Sequence, residues 1–414
     1  MKRLIFLIPH LGSGGAERVV ANLSYGFRDF ENYIVIFENI VKYKVNGKIV
    51  VLNIPASQSL IKKLINLPIR YYKLKRVKQK IKPYATISLL EPMNFYNAIT
   101  KVNKEKILLS FHSNYTKTFE EDPFFGDGIK RKILYFAYRI VFKILYNEAD
   151  LIIAISKDVA LDLIKNFGID SKKIKVIYNP YPIEEINRLS EEGLDEFETI
   201  FKHPVIITAG RLTKQKGQWY LLRIFRKLKE KHKDLRLVIL GEGELKEYLV
   251  ELSEKLGLKT FVWDRDNISE DFDVSFLGFH KNPFKFMARA KLFIFPSLWE
   301  GFGNAVVEAM ACGVPVVSSD CRSGPREILA PDTDFSYQTE KPEFAEYGVL
   351  MPVFEVKFKS ADEPLEEKEL MWVEVINKML EDESLRGIYS ERAKQRADDF
   401  GLEKIVEEWI EVLR

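Results

Sequence analysis

The chain has few of the residues that staple small secreted domains or bind metal ions. Among its 414 residues are two cysteines, Cys312 and Cys321, and five histidines. Two cysteines alone cannot form a disulfide framework or a zinc site, so a reducing, cytoplasmic compartment is expected. We assign no acidic cluster to a metal and expect a protein that works without a metal or other bound cofactor.

Long apolar segments are also missing. No run of roughly 18 uncharged apolar residues occurs, which predicts that no helix spans a membrane. The N-terminal run Leu4–Pro9 is too short for a secretory signal and ends in a glycine-rich turn. Hydrophobic residues make up 46% and charged residues 30%, which is typical of folded globular chains. Because 414 residues exceed one ordinary core, two domains are predicted.

Charge is distributed unevenly along the chain. Residues 1–182 contain 30 lysines and arginines against 15 aspartates and glutamates, a net charge of +15. The remainder contains 33 against 45, a net charge of −12, and the two parts sum to the +3 of the whole chain. This asymmetry predicts that the N-terminal half meets an anionic partner.

Two basic segments concentrate that charge. Residues 60–83 contain nine lysines and arginines and no acidic residue, and 128–146 carries Lys130, Arg131, Lys132, Arg139 and Lys143 among aromatic and aliphatic residues. Basic amphipathic helices of this kind lie on anionic membranes, so we expect a protein peripheral to the inner face of the cell membrane. Solvated helix faces and a nucleic-acid patch are the alternatives.

Short apolar runs alternate with helical patterns along both halves. This rhythm predicts α/β domains, each a doubly wound parallel sheet whose ligands bind at the carboxyl ends of the strands. We predict an N-terminal domain over 1–182, a C-terminal domain over 200–395 and a terminal helix over 396–414 that reaches back to the first domain. A linker is predicted within 179–203, and 331–368 is interpreted as a polar insertion.

The segment 295–313 carries the strongest chemical signal. Over 301–319 the only charged residue is Glu308, in an apolar helical stretch. Desolvating a lone carboxylate is costly, so it needs a partner: a ribose diol of a ligand, or an Arg or Lys of the chain. Glu300 precedes this helix, and the backbone N–H groups of residues 301–304 favour anions or sugar oxygens.

Cations follow an earlier strand. The segment 209–217, AGRLTKQKG, lies between a predicted strand and a predicted helix. Arg211 offers a planar fork of donors and Lys216 a mobile point charge, which together suit a diphosphate beside a helix N-terminus. An exposed basic loop is the alternative.

Other strand ends in the first half supply weaker candidates. Gly14 and Gly15 lie between the first strand and helix, where glycine lets a backbone approach a ligand, and a tight turn with no ligand is the alternative. The pattern is not GxGxxG, which disfavours a nicotinamide cofactor. His112, and Glu91 with Asn94, follow two later strands and are expected to face an interdomain cleft; for His112, simple packing is the alternative.

Together these motifs resemble a known family. Glu300 and Glu308 form the E-X7-E pattern of retaining glycosyltransferases. With GRLTKQKG at 210–217, FLGF at 276–279 and GGAERVV at 14–20, they resemble glycosyltransferase family 4. The resemblance implies the GT-B fold, in which two Rossmann-like domains face each other across a cleft.

A narrower resemblance concerns the substrates. DCRSGPREIL at 320–329, with YGVLMP at 347–352, is similar to a branch acting on N-acetylhexosamines, which includes transferases that extend undecaprenyl-diphosphate-linked glycans with N-acetylgalactosamine. The implied function is a retaining transferase moving an N-acetylhexosamine from a UDP-sugar to a polyprenyl-diphosphate-linked or other glycan. A sugar-nucleotide epimerase and a nucleic-acid-binding protein are the alternatives, and the second leaves both glutamates without a purpose.

The family resemblance also implies roles for individual residues. Glu308 would bind the donor ribose and Glu300 the hydroxyls of the donor sugar. Arg211 and Lys216 would hold the diphosphate, and His112 would contact the sugar near the reacting carbon. Glu91 and Asn94 are expected to meet the acceptor. Four residues are expected to be catalytic: His112, Arg211, Lys216 and Glu300. The expected donor-binding residues are Gly14, Gly15, Arg211, Lys216, Phe279, Glu300, Gly301, Phe302, Gly303, Asn304 and Glu308.

Overall fold

The structure is a computed structural model that describes residues 1–12, 14–54, 60–121 and 128–414. Ser13, in the predicted glycine-rich turn, and the side chains of residues 60–65, in the first basic segment, lie outside the described part. The chain divides into two compact units. One consists of Met1–Tyr181 with Phe400–Arg414, and the other of Pro182–Asp399.

The first unit is built on one parallel sheet. Its strands are β1 (Lys2–Ile8), β2 (Phe30–Ile36), β3 (Lys48–Val51), β4 (Ala85–Leu89), β5 (Lys106–Phe111), β6 (Leu151–Ala154) and β7 (Ile174–Val176). Its helices are α1 (Gly15–Gly26), α2 (Leu60–Ile81), α3 (Met93–Ile99), α4 (Tyr115–Glu121), α5 (Gly128–Leu145) and α6 (Lys157–Phe167). The strand order β3-β2-β1-β4-β5-β6-β7 reverses direction between β1 and β4. Such reversal points are where doubly wound sheets bind ligands.

The second unit repeats this design. Its helices are α7 (Ile183–Ser190), α8 (Glu198–Phe201), α9 (Gln218–Lys231), α10 (Lys246–Lys255), α11 (Phe284–Met287), α12 (Asn304–Ala311), α13 (Pro325–Leu329), α14 (Glu367–Glu381) and α15 (Glu383–Ala397). Its strands are β8 (Val205–Ala209), β9 (Arg236–Leu240), β10 (Thr260–Val262), β11 (Val274–Gly278), β12 (Leu292–Phe295), β13 (Val316–Ser319), β14 (Glu343–Phe344) and β15 (Val349–Met351). The order is β10-β11-β9-β8-β12-β13-β15-β14, with β14 antiparallel at one edge. Here the reversal lies at β8, between β9 and β12.

Burial explains why these runs form strands. The residues of β8, β9, β12 and β13 are buried throughout, as in a parallel sheet covered by helices on both faces. Helix α9 packs Leu221, Leu222, Phe225 and Leu228 into the same core. The two Rossmann-like units predicted from the sequence are therefore present.

Two segments differ from their predicted roles. The expected linker at 179–203 contains α7 and α8 and belongs to the second unit from Pro182 onward. Its apolar residues Ile186, Leu194 and Ile200 are buried. They are too widely spaced to give a clear helical period, which hid their role in the sequence. The expected insertion at 331–368 contributes β15, whose three residues are fully buried beside β13.

The C-terminal helix completes the first unit. Tyr181 N–H donates to the carbonyl of Phe400 (2.9 Å), and Leu402 N–H donates to the carbonyl of Tyr181 (2.8 Å). Helix α16 (Leu402–Leu413) then packs on α1, where Val406 lies against the point that a Cβ on Gly26 would occupy. Trp409 and Leu413 of α16 are buried in the same core. The predicted return of this helix to the N-terminal part of the chain is confirmed.

A buried ion pair attaches α2 to the first sheet. Lys78 Nζ lies 3.0 Å from Glu105 Oε1, and both side chains are fully buried. Lys78 also donates to Asn97 Oδ1 (2.8 Å), and Glu105 accepts from Thr86 Oγ1 (2.7 Å) and Val102 N–H (2.9 Å). Desolvation lowers the pKa of Lys78 to about 8. Glu105 is therefore a carboxylate whose polar partners all lie inside the protein.

Removing the cation of this pair should destabilise the first unit. We expect Lys78→Met to lower its free energy of unfolding by about 3–5 kcal/mol, because Glu105 would keep an uncompensated buried charge. The control is Lys101→Ala at the exposed Lys101–Asp150 pair, with an expected loss below about 1 kcal/mol. Hydrogen exchange of first-unit strands in increasing urea measures both, and equal losses would contradict the assignment.

Candidate active site

The reversal of the second sheet brings two predicted motifs together. Strands β8 and β12 are parallel neighbours, with Leu292 opposite Ile206 and Phe293 opposite Ile207. The loops that follow them, residues 210–217 and 296–303, therefore leave the same edge of the sheet side by side. This edge is where an open α/β sheet binds its ligands.

An ion pair joins the two loops. Lys216 Nζ donates to Glu300 Oε1, and both side chains are largely buried, 15% and 8% exposed respectively. Gln215 strengthens the junction. Its side-chain Nε2 donates to the carbonyl of Trp299 (2.8 Å) and lies 3.4 Å from Glu300 Oε2. Its main-chain carbonyl accepts from Leu298 N–H (2.8 Å). The structure thus places Lys216, which is predicted to bind the diphosphate, in direct contact with Glu300, which is predicted to bind the sugar.

A glycine makes this close approach possible. Gly217 has a positive φ of +61°, and a Cβ there would lie 2.6 Å from the carbonyl oxygen of Pro296. Any other residue would therefore push apart the loops that carry Lys216 and Glu300. The glycine that ends the GRLTKQKG motif is required by packing as well as by backbone conformation.

The loop after β12 leads into α12. Gly301, Phe302 and Gly303 are buried, and Asn304 is half-buried at the start of the helix. Gly303 adopts a φ of +100°, which turns the chain into α12. The N-terminus of a helix carries the positive end of its dipole and N–H groups without intrahelical acceptors. The edge beside Glu300 therefore suits an anion or a polar hydroxyl.

Glu308 lies one turn into α12 and is 6% exposed. It already takes part in an interaction within the chain, so the alternative of an internal partner stays open. Its negative charge reaches Cys312, one turn further on. Burial first, and then the charge of Glu308, raise the pKa of the Cys312 thiol to about 12.

Arg211 and Phe279 leave the same edge of the sheet. Arg211 follows β8 and is exposed, and its carbonyl accepts from Gln218 Nε2 (3.0 Å). Phe279 follows β11 and is half-buried. Gly278 before it has a φ of +72°, and a Cβ there would lie 2.8 Å from the Trp263 ring. Sequence reasoning missed Gln215 and Trp263; Gln215 stands inside the recognised motif, which is the signal that would have identified it.

The first unit has its own cluster at the carboxyl edge of its sheet. Glu91 follows β4, and His112 follows β5, the neighbouring strand. Tyr146 Oη donates to Glu91, 2.9 Å from each carboxylate oxygen. Burial raises the pKa of Glu91 to about 7 in spite of this bond. His112 is half-buried with Nε2 3.0 Å from Ser110 Oγ, and desolvation lowers its pKa to about 3, so its ring is neutral near pH 7.

Asn94 does not have the position expected of an acceptor ligand. It is fully buried in α3, where its Oδ1 accepts from Ser88 Oγ (2.8 Å) and its Nδ2 donates to the carbonyl of Ser110 (3.0 Å). These bonds join α3 to β4 and β5 and use both polar ends of the amide. The role of Asn94 is structural, and we remove it from the acceptor-binding set.

The glycines before α1 are placed differently from one another. Gly14 precedes the helix, and a Cβ there would overlap Glu17 Oε2, so a side chain would displace this buried carboxylate. Glu17 Oε1 lies 3.3 Å from His10 Nδ1. Gly15 is exposed at the first position of α1. Gly14 is thus explained by packing, and its contact with a donor stays a prediction.

Acidic triplets of the D-x-D type occur at 264–266, 271–273 and 332–334, and in each an aspartate binds another group of the chain. Asp273 pairs with Lys229 (2.7 Å). Asp264 pairs with Lys246 (2.7 Å), and Asp334 accepts from Ser336 Oγ (2.7 Å). Within the part of the chain that the structure describes, no three His, Cys, Asp or Glu side chains are grouped to hold a metal. Action without a metal stays a prediction.

Comparison with known proteins identifies the family. The model of Glycosyltransferase Family 4 matches residues 13–185, and that of Glycosyl transferases group 1 matches 192–343. A protein of Methanocaldococcus jannaschii described as an uncharacterised glycosyltransferase is 36% identical over 391 residues, 91% of this chain and 90% of the relative. The chain belongs to glycosyltransferase family 4. It is therefore an enzyme, and neither the epimerase nor the nucleic-acid-binding alternative is favoured by this family.

A second relative and a solved structure extend the comparison to the whole transferase. An N-acetylgalactosaminyltransferase of Campylobacter jejuni, which acts on a diphospho-undecaprenol-linked acceptor, is 30% identical over 418 residues and covers 100% of each chain. Anabaena HepE in complex with UDP and glucose superposes with a TM-score of 0.73 at 19% identity, covering 100% of this chain and 99% of HepE. This likeness shows the GT-B fold, as predicted.

The raised pKa of Glu91 generates a pH prediction. Between its ordinary pKa of 4.5 and the folded value of about 7, the folded unit binds this proton more tightly than the unfolded chain. The stability of the wild type relative to Glu91→Gln should therefore fall as pH rises from about 4.5 through 7. Melting temperatures of the two proteins across this range measure the difference, and parallel curves would disprove the shift.

Proposed function

We propose that this transferase moves an N-acetylhexosamine from a UDP-sugar to a polyprenyl-diphosphate-linked glycan with retention of anomeric configuration. The C. jejuni relative supports both the sugar and the type of acceptor. A second C. jejuni protein, 23% identical over 421 residues, is likewise named as an N-acetylgalactosaminyltransferase acting on a PP-undecaprenol glycan. HepE supports UDP as the nucleotide, because its crystal structure is a complex with UDP and glucose.

The observation that carries the proposal is the Lys216–Glu300 pair at the reversal of the second sheet. Breaking the bond between the sugar and the diphosphate develops negative charge on the leaving group. Lys216, Arg211 and the N-terminus of α12 are the positive groups at this edge that would stabilise this charge. Glu300 Oε2, which lies 3.4 Å from Gln215 Nε2, would accept hydrogen bonds from the sugar hydroxyls.

In the proposed step the bond from C1 to the phosphate oxygen breaks and a bond from C1 to the acceptor oxygen forms on the same face. The proton of the acceptor hydroxyl passes to the leaving phosphate, so no protein base is required. His112 is neutral because its pKa is about 3, and it would act on the sugar as a hydrogen-bonding group rather than as a cation. Glu308 would bind the ribose diol.

We propose the remaining predicted contacts for the same donor and acceptor. Gly14 and Gly15 would lie against the donor phosphates, and Phe279 would meet the base. Glu91, tied to Tyr146, would accept a hydrogen bond from a hydroxyl of the acceptor glycan. Because burial raises its pKa to about 7, Glu91 is partly protonated near neutral pH, and its ionised form is the one that only accepts hydrogen bonds.

A donor screen with matched variants tests the proposed function. The enzyme is incubated with a polyprenyl-diphosphate-linked sugar and one of UDP-GalNAc, UDP-GlcNAc, UDP-glucose or GDP-mannose, and the linkage of the product is read by NMR. We expect transfer from a UDP-N-acetylhexosamine with an α linkage. Lys216→Ala and Glu308→Gln should each reduce this transfer by about 100-fold or more, because each removes a charged protein group that would contact the donor.

The control for this experiment is Lys285→Ala. Lys285 forms an ion pair with Asp195 (3.1 Å) in the same unit, outside the two loops that carry Lys216 and Glu300. Its activity should equal that of the wild type. Transfer by Lys216→Ala at the native rate would contradict the diphosphate assignment, and transfer only from GDP-mannose would contradict the choice of nucleotide.

A membrane-facing surface agrees with a lipid-linked acceptor. Helix α5 exposes one apolar stripe, 43% to 77% accessible: Ile129, Ile133, Phe136, Ile140 and Ile144. Its charged residues are all basic. Among the described residues no helix is both long and apolar enough to cross a bilayer. We infer that α5, with the basic side of α2, lies on the anionic inner face of the cell membrane, where the apolar stripe enters the headgroup region.

Liposome sedimentation tests this surface. Wild-type protein should bind vesicles containing about 30% phosphatidylglycerol about 10-fold more tightly than pure phosphatidylcholine vesicles, because anionic headgroups attract the basic residues. The double variant Ile133→Asp/Phe136→Asp should lose this binding. The control Ile388→Asp replaces another exposed isoleucine, in α15 of the second unit, and should bind like the wild type. Equal, negligible binding of the wild type to both vesicles would end the membrane assignment.

A further inference from the structure

The loop that follows β13 fixes the loop that carries Glu300. Glu300 N–H donates to the carbonyl of Arg322 (2.6 Å), and Ser323 N–H donates to the carbonyl of Glu300 (3.1 Å). Packing continues at Gly324, where the φ is +98° and a Cβ would overlap the carbonyl oxygen of Phe302. The backbone position of residues 300–302 is therefore set by residues 322–324.

Arg326 lies at the centre of a buried charge cluster next to this loop. Its Nη2 donates to Asp320 Oδ2 (2.6 Å) and to Glu343 Oε2 (2.7 Å), and its Nη1 donates to Thr333 Oγ1 (3.1 Å). Arg326 and Asp320 are 4% and 1% exposed, whereas the Glu343 side chain is 31% exposed. One guanidinium thus joins the start of the loop after β13 to β14.

The segment between α13 and β14 is bound to the same loop by three more hydrogen bonds. Thr339 N–H donates to Asp320 Oδ2 (2.6 Å), and Gln338 Nε2 donates to the carbonyl of Asp320 (2.8 Å). Arg322 Nη2 donates to the carbonyl of Ser336 (2.7 Å). Residues 333–343 belong to the segment whose role the sequence left open.

We propose that residues 333–343 form a clasp that positions the loop after β12. This loop, residues 296–303, carries Glu300 and is called the donor-sugar loop below. Through Arg326 and Asp320 the clasp holds residues 322–324, and through them it holds the backbone of Glu300. Arg326 is a positioning residue, since its described contacts are with Asp320, Thr333, Glu343 and the ring of Tyr337. The identity of the sugar in this inference rests on the proposed function. That the clasp holds the backbone of residues 300–302 in place rests on the geometry alone.

The clasp should affect sugar transfer more than nucleotide binding. The ribose carboxylate Glu308 is set by α12. Lys216 and Arg211 are carried by the loop after β8, whose Gln215 and Gly217 contact residues 296–299, before the residues 300–302 that the clasp holds. Loosening residues 300–302 leaves these groups on their own elements. It changes the alignment of the sugar, to which reaction rates are highly sensitive.

Two variants and one matched control test the clasp. Arg326→Lys keeps the charge but loses the planar fork, and Glu343→Gln removes the partly exposed carboxylate, which the fold tolerates more readily. The control is Arg223→Lys. Arg223 is equally buried and bidentate with Glu369 (2.7 and 3.2 Å), and it also binds carbonyls of 360–364, away from the donor-sugar loop.

Hydrogen exchange of the peptide 298–306 and steady-state kinetics are measured for all three variants. In Arg326→Lys and Glu343→Gln we expect this peptide to exchange about 10-fold faster and kcat to fall about 10-fold. The Kd for UDP alone should stay within about twofold of the wild type. Arg223→Lys should leave exchange of the peptide unchanged.

Three results would overturn the clasp. The first is that peptide 298–306 exchanges no faster in either clasp variant than in Arg223→Lys. The second is that kcat is unchanged in both clasp variants. Equal losses of UDP binding and of transfer would mean general destabilisation. Should the wild type transfer no sugar from any donor, the proposed function fails, and the exchange measurement still decides the clasp.

Discussion

The contact between Lys216 and Glu300 is the interaction on which the candidate site depends. The two residues are 84 positions apart in the chain, and they meet because β12 pairs directly with β8 after the chain has formed β9, β10 and β11 on the other side. A different strand order would leave each charge alone at a separate place on the sheet. The site is therefore a product of topology first and of side-chain chemistry second.

The second unit uses the same kind of contact repeatedly. Lys216 with Glu300 and Arg223 with Glu369 each join segments far apart in the chain, and Arg326 joins Asp320, just before α13, to Glu343 in β14. Buried ion pairs add little net stability, since desolvation offsets their attraction, but separating the partners is costly. We interpret the three pairs as devices that select one arrangement of the loops over alternatives of similar hydrophobic burial.

Much of this architecture could be predicted from the residues, for identifiable reasons. Buried parallel strands are continuous apolar runs, so 205–209 and 292–295 stood out, and the glycine-bounded loops after them marked the candidate site. The inward orientation of Asn94 could not be predicted, because it depends on Ser88 and on the carbonyl of Ser110 in two different strands. The arrangement around Arg326 was hidden for the same reason. Strand β15 was missed because three residues are too few to establish a period.

The path of the chain has a consequence for the order in which the protein is made. The second unit is one continuous stretch, Pro182–Asp399, and all of its strands and helices leave the ribosome together. The first unit is interrupted, and the residues that cover α1, among them Val406 and Trp409, are synthesised only after the whole second unit. Until then Leu23 and its apolar neighbours on α1 lack their cover. During synthesis the unit that begins first is thus the one that is completed last, and its exposed surface is what a nascent-chain chaperone would encounter.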